Sequence, residues 1–175
     1  MAVVVPVLVV VLVLVRVVGD DGGGDDGGTD DGGAVADVSG GAGQQRAEDL
    51  PVLPVEVPPP TPEADAACPA LMGALPLDLL GEPARLVDSD TPYAAAWGDP
   101  AVVLVCGVPQ PEGLDAGAGL LQINEVTWFV EQSDEATVWT AVDRAVFVRV
   151  TLPPDVDSAP VTVLSDVLAD TLPPR

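Results

Sequence analysis

The most apolar stretch of the second half of the chain is residues 101–106, which contain no polar side chain. A strand that is apolar on both faces cannot face water, so this pattern predicts the central strand of a sheet. Gly98 and Pro100 precede the stretch, and Gly107 and Pro109 follow it. Glycine and proline are typical of turns, so they set the predicted limits of the strand.

Alternating apolar and polar positions predict further strands around this one. Residues 126–131 alternate, and so do residues 137–142 and 145–151, which flank Asp143 and Arg144 and are predicted to form a hairpin. Two shorter elements are also expected, a strand at 85–87 and a helical turn at 92–97.

Two segments have helical spacing instead. The first helix is predicted to carry Ala67, Cys68, Leu71, Met72 and Leu75 on one face and to end before Pro76, with Pro69 in its first turn. The second is predicted to start at Ser158, to carry Val161, Leu164, Leu168 and Leu172, and to end at Pro173. The predicted fold class is α+β, with two helices packed on one face of a small, mostly antiparallel sheet.

The N-terminal segment 1–18 is predicted to be a transmembrane helix or a signal segment. Residues 2–18 are almost entirely valine and leucine, interrupted only by Pro6 and Arg16, and their number falls within the range that spans a bilayer. No basic residue precedes the run, and the small-x-small sequence at 34–36 lies far beyond its end. An uncleaved anchor is therefore favoured over a cleaved signal.

Residues 19–62 are predicted to be a disordered linker between this anchor and a globular domain at 63–175. The linker begins with repeats of Asp-Asp-Gly-Gly and becomes proline-rich after Leu50. The aspartates do not have the spacing of an EF-hand, and the repeats lack the apolar residue of a calcium-binding β-roll. The linker is thus expected to hold the domain away from the membrane.

Composition excludes several classes of function. The chain of 175 residues has 28 Asp and Glu against 6 Lys and Arg, a net charge of −22 and no histidine. So acidic a protein repels nucleic acids, and we expect no nucleic-acid partner. Without histidine, neither serine–histidine nor cysteine–histidine catalysis nor a histidine-ligated zinc site can be assembled. We therefore predict no catalytic residue, no bound metal and no cofactor.

The order of motifs in the second half of the chain resembles that of one known family. The motifs are Cys68-Pro69-Ala70-Leu71, Ala74-Leu75-Pro76, Trp97-Gly98-Asp99-Pro100, Cys106-Gly107-Val108-Pro109, Pro111-Glu112, Val126 with Trp128, Arg144, and Val148-Arg149-Val150-Thr151-Leu152-Pro153. Over residues 64–173 the chain resembles the actinobacterial domain-of-unknown-function 3515 family of membrane-anchored or secreted proteins. The resemblance implies an exported envelope protein of one domain, and it supplies no catalytic residue.

Cys68 and Cys106 are the two cysteines of the chain and could form a redox pair, a metal site or a disulfide. They are not in a Cys-x-x-Cys motif, and two thiolates are too few for zinc. A structural disulfide would suit an exported domain and would attach the first helix to the end of the central strand. A disulfide is favoured over free thiols.

Four residues are candidates for a binding surface: Trp97, Asp99, Trp128 and Arg149. Trp97 and Asp99 could form a recognition loop, although a tight turn with the indole in the core is the commoner arrangement. Arg149 lies between apolar residues on a strand and could mark a pocket for an anion or a carboxylate.

Two functions remain. The first is a non-catalytic envelope module, anchored in the cell membrane by one span, whose domain binds an unknown envelope protein or a cell-wall component outside the cytoplasm. The alternative is an extracytoplasmic hydrolase using paired carboxylates, with Asp88 and Asp90 or Glu131 and Asp134 as examples. A cleft with two close carboxylates beside Trp97 or Trp128 would favour the hydrolase, and a shallow apolar surface would favour the module.

Overall fold

The computed structural model describes residues 49–175. The predicted membrane segment at 1–18 and the aspartate-rich part of the predicted linker lie outside these residues. Within residues 49–175, no helix has both the length and the apolar character needed to cross a membrane.

The described part of the chain is an α+β fold of ten strands and two helices. The strands are β1 (Leu53–Pro54), β2 (Asp78–Leu79), β3 (Glu82–Arg85), β4 (Val87–Asp88), β5 (Ala94–Trp97), β6 (Val102–Val108), β7 (Leu120–Ile123), β8 (Val126–Gln132), β9 (Thr137–Ala141) and β10 (Phe147–Leu152). The helices are α1 (Pro62–Ala74) and α2 (Ala159–Thr171).

Eight strands form one sheet in the order β2-β3-β5-β6-β10-β9-β8-β7. Every neighbouring pair in it is antiparallel. The apolar strand β6 lies inside the sheet between β5 and β10, which confirms the prediction of a central strand. Strands β9 and β10 form the predicted hairpin, with Val148 opposite Ala141.

Both helices pack on the same face of this sheet. Cys68 of α1 is bonded to Cys106 of β6, and the indole Nε1 of Trp128 on β8 donates to Ser165 Oγ of α2 at 3.0 Å. The side chains between helices and sheet form the core, among them Leu71, Trp97, Leu104, Cys106, Trp128, Trp139, Val148, Val150, Leu164 and Leu168. The predicted layer of two helices on one sheet face is thus confirmed.

The segment predicted as a helical turn at 92–97 is instead strand β5. Ala94, Ala95 and Ala96 have high helical propensity, but they pair with Val105, Leu104 and Val103 of β6. Backbone pairing with the most apolar strand outweighs a propensity that amounts to a fraction of a kcal/mol per residue. This prediction was wrong for that reason.

Helix α1 begins earlier than its apolar spacing suggested. The side chain of Thr61 accepts a hydrogen bond from the Ala64 amide at 3.2 Å, and Pro62 occupies the first turn. Pro69 therefore lies inside the helix rather than in its first turn, contrary to the prediction, and it is exposed. Helix α2 begins after Ser158 as predicted, although the Ser158 side chain makes no capping hydrogen bond.

Residues from Leu50 onward already pack against the domain, before the predicted domain boundary at residue 63. Strand β1 pairs in parallel with β4, and Leu50 is buried. The guanidinium of Arg85, which is 8% exposed, donates through Nη2 to the Pro51 carbonyl at 2.6 Å. A buried guanidinium needs acceptors, and this segment supplies one. The first residues of the proline-rich stretch are thus part of the folded domain.

Candidate functional site

The face of the sheet that carries no helix holds two parallel rows of side chains. One row crosses the strands through Val105, Arg149, Thr140 and Phe129, which are directly paired. The next row crosses through Val103, Thr151, Val138 and Glu131. Side chains two residues apart on a strand share a face, so all these residues point to the same side.

A cleft of about 450 Å³ lies over these two rows. Its floor is formed by β8, β9 and β10, and the segment 109–112 that follows β6 lines its other side. Gly113 lies against the ring of Phe129, where an added Cβ would lie 3.0 Å from Cζ. The lining residues are Val108, Pro109, Gln110, Pro111, Glu112, Glu131, Gln132, Ser133, Ala136, Val138, Thr140, Arg149 and Thr151.

Arg149 is the cation of this cleft, and it is half-buried. Within residues 49–175 it forms neither a hydrogen bond nor an ion pair. The chain has 28 acidic residues, so a guanidinium left without a carboxylate partner is unexpected. Its donors are available to a ligand.

The two fully buried arginines of the described region differ sharply from Arg149. Arg85 donates to the Gly98 carbonyl at 3.0 Å and lies 3.6 Å from Asp99. Arg144 is 4% exposed, donates to the carbonyls of Leu172 and Glu125, and lies 3.3 Å from Asp143. These two side chains hold backbone segments together, whereas Arg149 holds none.

Polar groups surround Arg149 in the cleft. Thr140 lies directly opposite it on β9 and is 2% exposed, yet its hydroxyl has no hydrogen-bond partner within residues 49–175. Two carboxylates, those of Glu112 and Glu131, line the same cleft and are exposed. The cleft therefore offers one cationic donor, hydroxyl groups and two anionic acceptors.

No metal site accompanies this arrangement. Throughout residues 49–175, no group of three cysteine, aspartate or glutamate side chains is placed to hold a metal ion. The hydroxyls of the cleft have no histidine beside them, because the chain contains none. An activated nucleophile of the serine–histidine type is thus not available here.

Of the four residues predicted to form a binding surface, only Arg149 lines the cleft. Trp97 is 1% exposed and donates through Nε1 to the Pro76 carbonyl at 2.8 Å. Trp128 is fully buried and packs edge-on against Trp139, with ring centroids 6.3 Å apart. Both indoles fill the core on the helix side, because that side offers each N–H an acceptor. The four residues therefore do not form one surface.

Asp99 lies at the surface but away from the cleft. Its side chain is 53% exposed and faces Arg85 across 3.6 Å. Among the acidic pairs considered from the sequence, only Glu131 lines the cleft, and the second carboxylate there is Glu112. Sequence reasoning missed Glu112, although its position between Pro111 and Gly113 marked it as a loop residue.

The predicted disulfide between Cys68 and Cys106 is present. The two Cα atoms are 5.8 Å apart, and the bond closes a loop with a sequence separation of 38. In the chain-entropy model a loop of this size stabilises the fold by about 4 kcal/mol. Gly107 lets the helix approach: a Cβ added there would lie 2.7 Å from Cβ of Ala64.

A second link between α1 and the sheet is the hydrogen bond from Tyr93 to Asp65. The phenol donates to Oδ1 at 2.7 Å. This hydrogen bond, together with burial and the negative charge of Asp65, raises the pKa of Tyr93 above its ordinary value. The phenol is thus held in its neutral, donating form.

Fold and cleft together define a disulfide-bonded α+β domain with a ligand-sized cleft on its helix-free face. The model of the DUF3515 family, described as a protein of unknown function, matches residues 33–175. The chain therefore belongs to this family, which confirms the resemblance seen in the sequence. No curated protein and no solved structure matches the chain.

Proposed function

We propose that the domain is a non-catalytic binding module of the cell envelope. In this proposal residues 2–18 anchor the chain in the cell membrane by one span, and the domain lies outside the cytoplasm. The observation that carries the binding role is the cleft around Arg149, which has no hydrogen-bond or ion-pair partner within residues 49–175. The partner is an envelope protein or a cell-wall component that reaches this cleft.

The location is supported by two features of the chain. The apolar run at 2–18 has the composition of a membrane segment. The Cys68–Cys106 disulfide lies in the core, and such bonds persist in oxidising compartments and are rare in the cytosol.

Binding without catalysis is supported by the chemistry of the cleft. Ser133, Thr140 and Thr151 supply hydroxyls to the cleft. The chain has no histidine to activate them, and the lining side chains that could act as bases are the carboxylates of Glu112 and Glu131. The guanidinium of Arg149 is a cation that offers hydrogen-bond donors and no acceptor, so it is suited to holding an anionic group rather than to moving protons.

A second candidate is the hydrolase with paired carboxylates, and one observation favours it. Glu112 and Glu131 line the same cleft, as a glycosidase-like mechanism would require. The tryptophans that would have supported sugar binding, Trp97 and Trp128, are buried on the other side of the sheet. The binding module therefore fits the cleft better.

Crosslinking and pulldown from intact cells tests the binding role. The full-length protein and its Arg149→Gln variant are compared with Arg175→Gln, which removes a cation that lies over the Phe147 ring and outside this cleft. We expect the wild type and Arg175→Gln to retain the same crosslinked partner and Arg149→Gln to lose it. Equal recovery by all three proteins would contradict binding through the cleft.

Topology is tested separately. Protease added to intact spheroplasts should digest the domain. Protection of residues 49–175 until the membrane is lysed would contradict the proposed location.

A further inference from the structure

The cleft combines one cation with two carboxylates, and this charge pattern restricts its ligand. Arg149 offers a planar fork of donors, which matches the two oxygens of a carboxylate. Because Glu112 and Glu131 share the cleft, the three side chains together carry a net charge of −1. A phosphate or another purely anionic ligand would be repelled by them and by the overall charge of −22.

The strand pairing fixes where Glu131 lies relative to Arg149. Arg149 lies on β10 and Glu131 on β8, with β9 between them. Thr140 is the β9 residue in the row of Arg149, and Val138 is the β9 residue in the row of Glu131. The two side chains are therefore two strands and one two-residue step apart, which corresponds to about 12 Å between their Cα atoms. Two long side chains that rise from the same face at that spacing can contact the two ends of a ligand that is a few backbone units long.

The remaining lining supports a peptide rather than another zwitterion. The hydroxyl of Thr140 lies on β9, between the strands that carry Arg149 and Glu131, and that of Thr151 lies on β10 beside Arg149. Both hydroxyls line the cleft and can donate to backbone carbonyls. Val108, Pro111 and Val138 add apolar surface for small side chains. A volume of about 450 Å³ lies within the range of ligand pockets and suits two or three residues.

We propose that the cleft binds a short peptide with free ends, its carboxylate on Arg149 and its ammonium on Glu131. The proposal rests on the binding role argued above and specifies its ligand. Peptide binding at this cleft would use a charge-assisted contact at each end and hydroxyl contacts between them.

Calorimetric titration of the full-length protein with trialanine tests the proposal. Three probes are compared: trialanine with free ends, N-acetyl-trialanine and trialanine amide. Each blocked form lacks one charged end, so its affinity should be at least about tenfold lower than that of the free peptide. Absence of binding by free trialanine at millimolar concentration, or equal binding of all three, would overturn the proposal.

Variants assign the two ends. Arg149→Gln should bind trialanine and its amide equally weakly, whereas Arg149→Lys should recover part of the preference for the free carboxylate. Glu131→Gln should bind trialanine and N-acetyl-trialanine equally, while Glu135→Gln, an exposed carboxylate outside the cleft, should behave as wild type. Because the Arg149 side chain holds no other part of the fold, its variants should melt as the wild type does. An Arg149→Gln variant that still prefers the free carboxylate would overturn the assignment.

The outcome also separates this inference from the proposed function. If a crosslinked partner depends on Arg149 but trialanine does not bind, the peptide proposal is overturned and the binding role stands. The same titration also tests for catalysis: trialanine recovered after incubation with the protein should be intact when its mass is measured. A cleaved peptide would overturn the non-catalytic role.

Discussion

Arg149 of β10 and Thr140 of β9 lie directly opposite each other on the helix-free face of the sheet, and neither side chain has a hydrogen-bond partner within residues 49–175. Thr140 is nevertheless 2% exposed. Among the described residues, the side-chain atoms that are fully buried without a partner are Arg85 Nε, Trp139 Nε1, Asp143 Oδ1 and Arg144 Nε, so the Thr140 hydroxyl keeps access to the cleft. We interpret the pair as part of the proposed ligand site rather than as a contact that stabilises the fold.

Replacing Thr140 by valine tests this interpretation. Thr140→Val keeps the shape of the side chain and removes a hydroxyl that makes no hydrogen bond within residues 49–175, so we expect a change of less than about 1 kcal/mol in the free energy of unfolding. Trialanine should bind more weakly. Thr127→Val, on the same face of β8 but outside the cleft, is the control. A destabilised Thr140→Val protein with unchanged binding would contradict the interpretation.

Gly107 permits the close approach of α1 to β6. Its φ is +81°, and an added Cβ would lie 2.7 Å from Cβ of Ala64. Gly107→Ala should therefore cost at least about 2 kcal/mol of the free energy of unfolding, from the left-handed backbone and the overlap together.

Gly73 provides the matched control for that substitution. It lies exposed in α1, and an added Cβ would meet nothing within 4 Å. Gly73→Ala should stabilise the domain by about 0.5–1 kcal/mol. Denaturant unfolding of both variants measures the difference, and a Gly107→Ala protein as stable as Gly73→Ala would contradict the packing described here.

The elements that could be predicted from sequence are those with a strong pattern. The wholly apolar pattern of β6, the alternation of β8 and the helical spacing of α2 each extend over several residues, and each predicted element is present. Strand β6 runs two residues past its predicted end, through Gly107 to Val108. The pairing of Cys68 with Cys106 also followed, because the chain has no third cysteine. In these elements, the apolar positions of the local sequence pattern are the positions that the fold buries.

Short elements could not be predicted because partners distant in sequence decide them. Strand β2 is joined to β3 by a turn in which Leu80 has φ 58° and Gly81 has φ 91°. Leucine rarely adopts that conformation, so the residue before Gly81 did not indicate this turn type. Strand β7 has four residues, and Leu120 and Leu121 are exposed, so it shows no burial pattern.

The cleft was only partly predictable for a related reason. Arg149 stood out as a cation between apolar residues on a strand. Its neighbours in the cleft come from β8, β9 and the segment 109–112, and strand register brings them together. The sequence pattern of each strand does not show which residues of the neighbouring strand it pairs with, so these neighbours could not be predicted.

Alkaline pH should weaken the link between Tyr93 and Asp65. Because the pKa of Tyr93 is raised in the folded state, its contribution to stability is fully present below the unfolded pKa of about 10 and is lost as the pH rises through the folded pKa. The chain has one tyrosine, so tyrosinate absorbance reports this residue alone. Asp65→Asn should lower the pKa of Tyr93 towards its ordinary value, and an unchanged titration curve would contradict the contact.

Removing the disulfide should destabilise the domain by the same amount whichever cysteine is replaced. Cys68→Ser and Cys106→Ser each break one bond, so both should lower the melting temperature, with a loss of about 4 kcal/mol in the chain-entropy model. The double variant should be no less stable than either single variant. Strictly additive effects would mean that the two cysteines contribute separately.

The proposed location outside the cytoplasm makes a prediction about the oxidation state of Cys68 and Cys106 in the cell, which one experiment measures. Full-length protein taken from intact cells is denatured in the presence of an alkylating reagent and without reductant, and its mass is then measured. We predict no alkylated cysteine, because Cys68 and Cys106 are bonded to each other in an oxidising compartment. Alkylation of both cysteines would contradict the proposed location.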